Sequence, residues 1–391
     1  MTDTPTEVLP AAAWTTREDL AGLVAALGAD NVRWVGGAVR DTMFGLPVKD
    51  IDAATTHRPE DVVARCKAAG IRTVPTGIAH GTVTALLAHG PVEVTTLRRD
   101  VSTDGRRATV SFADDWREDA ARRDFTINAL YAHPDTLAIE DYFGGLADLA
   151  NRRVRFIGDA RERIREDHLR ILRYFRFQAR FGAMVDGEAE AACADLAATL
   201  KGLSRERVAA ELLAILGLPD PVATVERMAG LGVLPMVLPE AKAPELAPLL
   251  ANEGRFAVPP AALRRLAALL PADPLVVEKV AARLKLSTAH RKHLAILATR
   301  ATGEPRALAY RHSIEAARDL AVLTGVDPAP LANWAVPQLP LKGGEIVARG
   351  IGAGPEVNRI LRAVEARWVA EHFPDRTRVE QLLAEALAPS P

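Results

Sequence analysis

The strand-forming pattern of this chain ends at about residue 158, and this change constrains the fold more than any other feature. Before it, β-rich segments alternate with helical segments and glycine turns, among them VRWV, KDIDAAT, HGTVTALL and VEVTTL. After it, the chain is rich in Ala and Leu at helical spacing and is broken by Pro and Gly. The pattern predicts an α/β head with a small mixed sheet, followed by an all-α neck, body and tail.

The chain has 391 residues, which is too long for one compact core. We therefore predict a head over residues 1–157, a helical neck over 158–216 and a helical body and tail over 217–391. Two isolated cysteines, Cys66 and Cys193, favour a reducing compartment over a disulfide framework. No Cys/His cluster in the sequence supplies the ligands of a zinc site.

The N-terminal segment has neither a basic region nor a long apolar run, so we expect no signal peptide, no membrane span and a cytoplasmic location. The net charge is −1, whereas a protein that binds nucleic acid by global charge would be more basic. Residues 151–182 nevertheless carry ten arginines against four acids. Such a run is either a solvated helix face or a local anion-binding surface.

A pair of carboxylates, Asp50 and Asp52, stands two residues apart in the predicted strand KDIDAAT. In a strand, both side chains leave the same face, with Cα atoms about 6.5–7 Å apart. They repel each other unless a cation lies between them, and Mg²⁺ prefers such oxygen ligands. D-x-D alone could be a solvated strand edge, but it follows GGAVRD, in which Gly36, Gly37 and Arg40 can approach phosphate oxygens.

Five ordered motifs carry a resemblance to a known family, covering about residues 30–215. WVGGAVRDTMFGLPVKDIDAAT resembles the first signature of class II tRNA nucleotidyltransferases and bacterial poly(A) polymerases, in the polymerase-beta-like nucleotidyltransferase superfamily. Four further segments resemble later motifs of this family, the last less sharply: RRDFTINAL at 122–130, DYFGGLADL at 141–149, EDHLRILRYFRF at 166–177 and LSRERVAAELL at 203–213. The resemblance implies a head with the fold of that superfamily.

The fourth motif of the family reads the incoming base with an acid and an arginine, which the resemblance places at Asp167 and Arg170. On one helix, residues three apart are about 60° apart around the axis, so both groups could address one ligand edge. Asp accepts and Arg donates, which matches the amino group and ring nitrogen of cytosine or adenine and opposes guanine or uracil. The alternative is an ordinary surface ion pair.

The resemblance also implies roles for other residues of these motifs. Asp50 and Asp52 would hold catalytic Mg²⁺, with Glu93 either a third carboxylate or a partner of an arginine. The predicted triphosphate-binding residues are Gly37, Arg40 and Arg123. Arg173 and Arg176 would contact the nucleotide or the partners of the neck, while Asp124 and Asn128 would orient arginines and backbone.

Residues 97–122 resemble the flexible loop of the family, which helps the site switch from cytidine to adenosine addition. This segment carries Asp104-Gly105, and its presence argues against an enzyme that adds only CC. The alternative is an ordinary solvated connection. We interpret His80 as structural, because the expected chemistry needs no side-chain base.

The resemblance implies attack by an RNA 3′-hydroxyl on the α-phosphate of CTP or ATP, with addition of CCA to tRNA as the favoured reaction. Alternatives are a poly(A) polymerase, an A-adding or CC-adding specialist, or an RNA-binding module with an inactive head. The near-neutral charge argues against a poly(A) polymerase. The helical body would hold tRNA by shape and backbone. Its basic residues are candidate contacts or ordinary surface charges: Arg264, Arg265, Lys285, Arg291 and Lys292.

Overall fold

The structure is a computed structural model that describes residues 7–78, 81–103, 108–113 and 115–388. The chain folds into two compact units. The first comprises Met1–Ile215 and Ala223–Val237, and the second Leu216–Val222 and Leu238–Pro391. The predicted boundaries of head, neck and body stay predictions.

The strands lie in the first unit, in two sheets. The strands are β1 Val32–Val35, β2 Ile51–Thr55, β3 Arg72–Gly77, β4 Thr82–Leu87, β5 Gly90–Thr96, β6 Arg98–Thr103, β7 Ala108–Phe112, β8 Leu130–Ala132 and β9 Ile139–Asp141. Seven of them form one sheet in the order β3-β4-β5-β2-β1-β8-β9, and β6 pairs with β7 as a separate hairpin. The pair β2/β5 is parallel, whereas β1 pairs antiparallel with both β2 and β8, so the sheet is mixed as predicted.

Helices are interspersed with the strands along the chain, and after β9 the regular elements of the described chain are helices. Up to Val237 they are α1 Glu18–Leu27, α2 Gly37–Met43, α3 Pro59–Ala68, α4 Trp116–Ala121, α5 Gly145–Ala150, α6 Ala160–Glu166, α7 Arg170–Phe181, α8 Gly187–Asp195, α9 Arg205–Leu216, α10 Val222–Gly230 and α11 Leu234–Val237. Beyond it they are α12 Leu246–Arg255, α13 Ala262–Leu269, α14 Pro274–Arg283, α15 Thr288–Ala298, α16 Pro305–Arg311, α17 Ile314–Thr324, α18 Gly343–Val347, α19 Pro355–Ala370 and α20 Arg376–Leu387. The predicted fold class, an α/β head followed by helices, is confirmed. No helix in the described part of the chain is long and apolar enough to cross a membrane.

The arginine-rich segment after residue 158 is two helices, so the assumption that Asp167 and Arg170 stand on one helix was wrong. Asp159 caps α6 by accepting a hydrogen bond from the Glu162 N–H at 2.8 Å. The helix ends at Glu166, and the backbone of the next residue, Asp167, is extended at φ −149° and ψ 103°. The Asp167 carboxylate accepts the Leu169 N–H at 3.1 Å, a local bond that competes with helical geometry. The following helix α7 buries its apolar face, including Ile171, and carries arginines on other positions.

The second unit contains a buried ionic network, and this overturns the interpretation of Arg264 and Arg265 as surface residues. Both side chains are about 1% exposed. Arg264 bonds to Glu253 and Asp319, both at 2.6 Å, and Arg265 bonds to Glu253 at 2.7 Å. His293 lies 2.8 Å from the other Asp319 oxygen. A buried guanidinium needs compensating charge, which Glu253 and Asp319 supply, and these buried arginines cannot contact RNA in this structure.

Candidate active site

A cavity of about 360 Å³ in the first unit collects residues from motifs that are far apart in sequence. It is lined by Gly36, Gly37, Arg40, Asp52, Arg122, Arg123, Asp124, Asn128, Asp167, Arg170, Arg173 and Phe177. The structure therefore brings most of the residues predicted for the site to one place. Asp50, Glu93 and Arg176 are not among the residues that line it.

Of the carboxylates predicted to bind metal, Asp52 lines this cavity. Asp52 is the second residue of β2 and stands in register with Glu93 on the parallel strand β5. Asp50 precedes β2 and is exposed, as is Glu93. Burial raises the pKa of Asp52, the charges of Glu93 and Asp50 raise it further, and Arg123 opposes them. Negative charge is thus concentrated where a cation would relieve the repulsion.

These carboxylates do not form a closed metal cage. Within the described part of the chain, no three His, Cys, Asp or Glu side chains are placed to hold a metal ion together. An open set of two or three carboxylates still fits Mg²⁺, because this ion usually keeps water and substrate phosphate oxygens among its ligands. The residues present therefore match the oxygen chemistry of magnesium.

The glycine pair forms the turn between β1 and α2. Gly36 has φ 66°, a left-handed conformation that favours glycine. A Cβ at Gly36 would lie 3.4 Å from Nη1 of Arg123. The turn therefore lets the chain bend sharply beside this arginine.

Arg40 reaches the cavity wall with its guanidinium already bound. Its Nε and Nη2 atoms donate to Oδ1 of Asp41 at 2.8 and 2.6 Å, and Nη1 donates to Oδ1 of Asn128 at 2.5 Å. The group also lies over the ring of Phe181, 4.5 Å from its centroid. Burial lowers the pKa of Arg40, and Asp41 opposes that effect. A direct contact between Arg40 and a triphosphate stays a prediction.

A chain of hydrogen bonds joins Arg40 to α7. Asn128 donates from Nδ2 to Oδ1 of Asp124 at 2.9 Å. The other oxygen of Asp124 accepts from Nε of Arg173 at 2.7 Å. Burial alone would raise the pKa of Asp124, but Arg173 and Asn128 outweigh it and the pKa lies below its ordinary value. Asp124 and Asn128 thus hold Arg40 and Arg173 in place.

Asp167 and Arg170 line the same cavity but do not share one helix, so the geometric argument from helical spacing was wrong. Asp167 stands in the break between α6 and α7 and pairs with Nη2 of Arg207 at 2.6 Å. Arg170 begins α7 and pairs instead with Glu166 at 2.5 Å. Its two Nη atoms also donate to the carbonyls of Arg163 at 2.8 Å and Arg122 at 3.0 Å.

Sequence reasoning missed two residues of α9 that hold the arginines and the acid of this region. Arg207 binds Asp167, and Glu211 accepts from Nε of Arg176 at 2.6 Å. Glu211 also lies 3.8 Å from Nη1 of Arg173. The segment LSRERVAAELL places Arg207 and Glu211 four residues apart, and residues with this spacing share one face of a helix. The sequence therefore did indicate that the two side chains face the same neighbours.

Two predictions fall on residues that the structure does not describe. His80 and the tip of the predicted loop, with Asp104-Gly105, lie outside the described residues. The described part of residues 97–122 contains the β6/β7 hairpin, in which Arg98 stands opposite Phe112, and the helix α4.

Two family models match the chain. One is described as the head domain of poly(A) polymerase and matches residues 32–155. The other is described as a probable RNA- and SrmB-binding site of polymerase A and matches residues 182–244.

Curated relatives extend this similarity over most of the chain. The mouse protein CCA tRNA nucleotidyltransferase 1, mitochondrial, is 35% identical over 397 residues, covering 94% of this chain and 89% of the relative. The CCA-adding enzyme of Lacticaseibacillus paracasei is 34% identical over 377 residues, covering 88% and 89%.

Solved structures share the architecture. A crystal structure of the Bacillus stearothermophilus CCA-adding enzyme in complex with CTP matches with TM-score 0.73 at 26% identity, covering 94% of this chain and 97% of that chain. A Thermotoga maritima CCA-adding enzyme complexed with tRNA_CCA has the same fold, with TM-score 0.68 at 22% identity, covering 94% of each chain.

Proposed function

This chain belongs to the CCA tRNA nucleotidyltransferase family, and we propose from that premise that it adds CCA to the 3′ end of tRNA. It uses CTP and ATP without a nucleic-acid template and releases pyrophosphate. The observation that supports this most is the single cavity that joins a carboxylate of β2, the arginines of RRDFTINAL and the pair Asp167 and Arg170.

Asp50 and Asp52 would hold Mg²⁺, with Glu93 as a third ligand from the neighbouring strand. The fit is supported by the register of Asp52 with Glu93 and by the mutual repulsion that raises the pKa of Asp52. When bound, the metal supplies activation of the attacking hydroxyl and stabilisation of the charge on the leaving pyrophosphate.

The other residues of the cavity bind and orient the nucleotide. Gly37, Arg40 and Arg123 hold the triphosphate, and Arg173 contacts the nucleotide. Arg176, which lies outside the cavity lining, supports this side of the pocket through its bond to Glu211. Asp167 accepts from the amino group of cytosine or adenine, and Arg170 donates to the acceptor beside it. Asp167 is paired with Arg207, and Arg170 is paired with Glu166. The incoming base therefore either replaces Arg207 and Glu166 as the partners of Asp167 and Arg170, or binds alongside them.

The place of action within the cell stays a prediction. We keep the cytoplasm as our proposal, based on the two isolated cysteines. The mouse and human relatives carry the word mitochondrial in their names.

One assay tests the proposed function. The purified chain is incubated with tRNA transcripts that lack CCA, lack only the final A, or are complete, with each labelled nucleotide and with Mg²⁺ or EDTA. We expect two cytidines and then one adenosine to be added, with no extension of complete tRNA and none in EDTA. Long adenosine tails would instead indicate a poly(A) polymerase, and addition of only CC or only A would indicate a specialist.

A further inference from the structure

Asp119 is a buried carboxylate outside the residues assigned above, and we propose that it is a positioning residue for nucleotide transfer. We call Leu97, Arg98 and Ala113, at the base of the β6/β7 hairpin, the hairpin root. Asp119 joins this root to Arg122 and Arg123 in the cavity wall and so sets where these arginines meet the triphosphate. The proposal rests on the proposed function, because it takes a nucleoside triphosphate as the occupant of the cavity.

The contacts of Asp119 divide between its two oxygens. The side chain stands on α4 and is about 1% exposed. Its Oδ1 accepts from the backbone N–H of Arg98, the first residue of β6, at 3.1 Å and from Nε of Arg122 at 2.7 Å. Its Oδ2 accepts from the hydroxyl of Tyr131 at 2.6 Å and from Nη2 of Arg123 at 3.3 Å. One carboxylate therefore joins the hairpin to two residues that line the cavity.

The charge balance around Asp119 favours an anion in the cavity. Burial alone would raise the pKa of Asp119, but the Arg123 and Arg122 guanidiniums and the Tyr131 hydroxyl lower it to about 2. The carboxylate is therefore ionised at neutral pH and offsets one of the two positive charges beside it. The positive charge that remains is held next to the cavity by charge-assisted hydrogen bonds, a short one from Arg122 at 2.7 Å and a longer one from Arg123 at 3.3 Å.

The hairpin root is also bonded to the strand that carries Asp52. The Leu97 N–H donates to the carbonyl of Thr55, the last residue of β2, at 2.8 Å. The Ala113 N–H donates to the Leu97 carbonyl at 2.9 Å and closes the base of the hairpin. A displacement of the hairpin at Arg98 therefore moves Asp119 or breaks the hydrogen bond from the Arg98 N–H to Asp119. Because Asp119 is also bonded to Arg122 and Arg123, a shift of Asp119 moves these arginines as well.

Asp119→Asn is the variant that tests the proposal, with Glu118→Gln as the matched control. Asn keeps the shape and one acceptor but loses the charge, whereas Glu118 is exposed on the same helix. The full-length proteins are compared for kcat and KM with CTP on tRNA lacking CCA, and with ATP on tRNA ending in CC. Binding of inorganic tripolyphosphate by calorimetry supplies a readout that does not depend on catalysis.

For Asp119→Asn we expect KM for both nucleotides and the Kd of tripolyphosphate to rise by about tenfold or more, because the hydrogen bonds that position Arg122 and Arg123 lose their charge and one of their two acceptor oxygens. Adenosine addition should fall further than cytidine addition, and Glu118→Gln should match the wild type. Unchanged KM and Kd in a folded Asp119→Asn protein would overturn the positioning of the arginines. Equal loss in both addition steps would overturn the link to the hairpin.

Tyr131→Phe tests the proposal if Asp119→Asn does not fold. It keeps the buried ring but removes the donor to Asp119 and the acceptor for Nε of Arg123 at 2.9 Å. Because this loosens Arg123 while the charge of Asp119 remains, KM and Kd should rise in the same direction by a smaller factor. Wild-type values for Tyr131→Phe would overturn the proposal. A wild-type chain that adds no CCA would overturn the proposed function instead, and tripolyphosphate binding would still test Asp119.

Discussion

Asp167 does not stand free in the cavity, and its partner bears on how a base could be selected. Its ion pair with Arg207 is partly exposed, with 30% of the Asp167 side chain and 43% of the Arg207 side chain accessible. An exposed pair of this kind contributes about 0–1 kcal/mol. A hydrogen bond between a charged group and the base contributes more, about 1.5–3 kcal/mol. A cytosine or adenine amino group can therefore displace or share Arg207, whereas a carbonyl offers Asp167 no donor.

We predict that Asp167→Ala weakens the use of CTP and ATP by about 10- to 150-fold in kcat/KM, because one charged hydrogen bond is lost. The relative use of UTP and GTP should rise, since the carbonyl is no longer opposed by a carboxylate. The measurement is kcat/KM for all four nucleotides on tRNA lacking CCA, with the exposed Glu162→Ala on α6 as control. A common factor for all four nucleotides would mean that Asp167 supports the fold or the metal site and does not read bases.

We predict that Asp52→Asn lowers metal-dependent turnover by more than about tenfold, because the half-buried carboxylate on β2 is the proposed ligand that lines the cavity. Affinity for tRNA should stay near that of the wild type, since the proposed RNA contacts lie elsewhere. Turnover with Mg²⁺ and a tRNA-binding titration check this, with the exposed Asp61→Asn as control. If Asp52→Asn keeps a tenth or more of wild-type turnover, the assignment of the metal site is wrong.

At the scale of elements, the β6/β7 hairpin is joined to the head through its root. The root bonds lie at Arg98, Leu97 and Ala113, and they leave the outer part of the hairpin outside the seven-stranded sheet. The outer part can therefore be shortened without removing a strand of that sheet or a residue that lines the cavity.

We predict that deletion of residues 101–109 spares addition of CC and suppresses addition of the final A. The physical reason is that the cavity and its carboxylates remain in place, while the segment that resembles the family's flexible loop is lost. Single-step addition to tRNA lacking CCA and to tRNA ending in CC measures the two steps, with a thermal unfolding curve to check the fold. Equal loss of both activities would show that the hairpin serves folding.

At the scale of the whole molecule, the second unit depends on a buried charge network that can respond to pH. The hydrogen bond to Asp319 raises the pKa of His293 above its ordinary value of 6.5, with burial and Arg264 opposing and Glu315 assisting. A histidine whose pKa is higher in the folded protein binds its proton more tightly there than in the unfolded chain. Its stabilising contribution is therefore complete below the unfolded pKa and is lost as the pH rises through the folded pKa.

We predict that the difference in unfolding temperature between wild type and His293→Gln is largest below the ordinary histidine pKa of 6.5 and shrinks as the pH rises above it, because the pKa of His293 is raised in the folded protein. Gln keeps a donor toward Asp319 but cannot take up a proton. Thermal unfolding at a series of pH values measures the difference, and the exposed His290→Gln on the same helix should show no such trend. A difference that is constant with pH would contradict the role assigned to His293.

The sequence by itself determined the fold class and most residues of the cavity. Strand-like alternation ends before residue 158, and a mixed sheet followed by helices is what the structure contains. Gly37 and Asp52 were found because their spacing within one short motif is a local property, set by a strand, a turn and a helix start, whereas Arg123 was predicted from the family resemblance of RRDFTINAL. Local geometry of this kind can be predicted, because neighbours along the chain constrain it.

Only the tertiary structure decided which charges meet. Asp167 was expected to act beside Arg170 on one helix, but the helix breaks there and Asp167 pairs with Arg207, which is 40 residues away in sequence. Arg264 and Arg265 were interpreted as surface charges, yet both are buried against Glu253. The physical reason is that an ion pair depends on which helices pack together and on how much water the packing excludes, and neither is encoded by the spacing of charges within a single element.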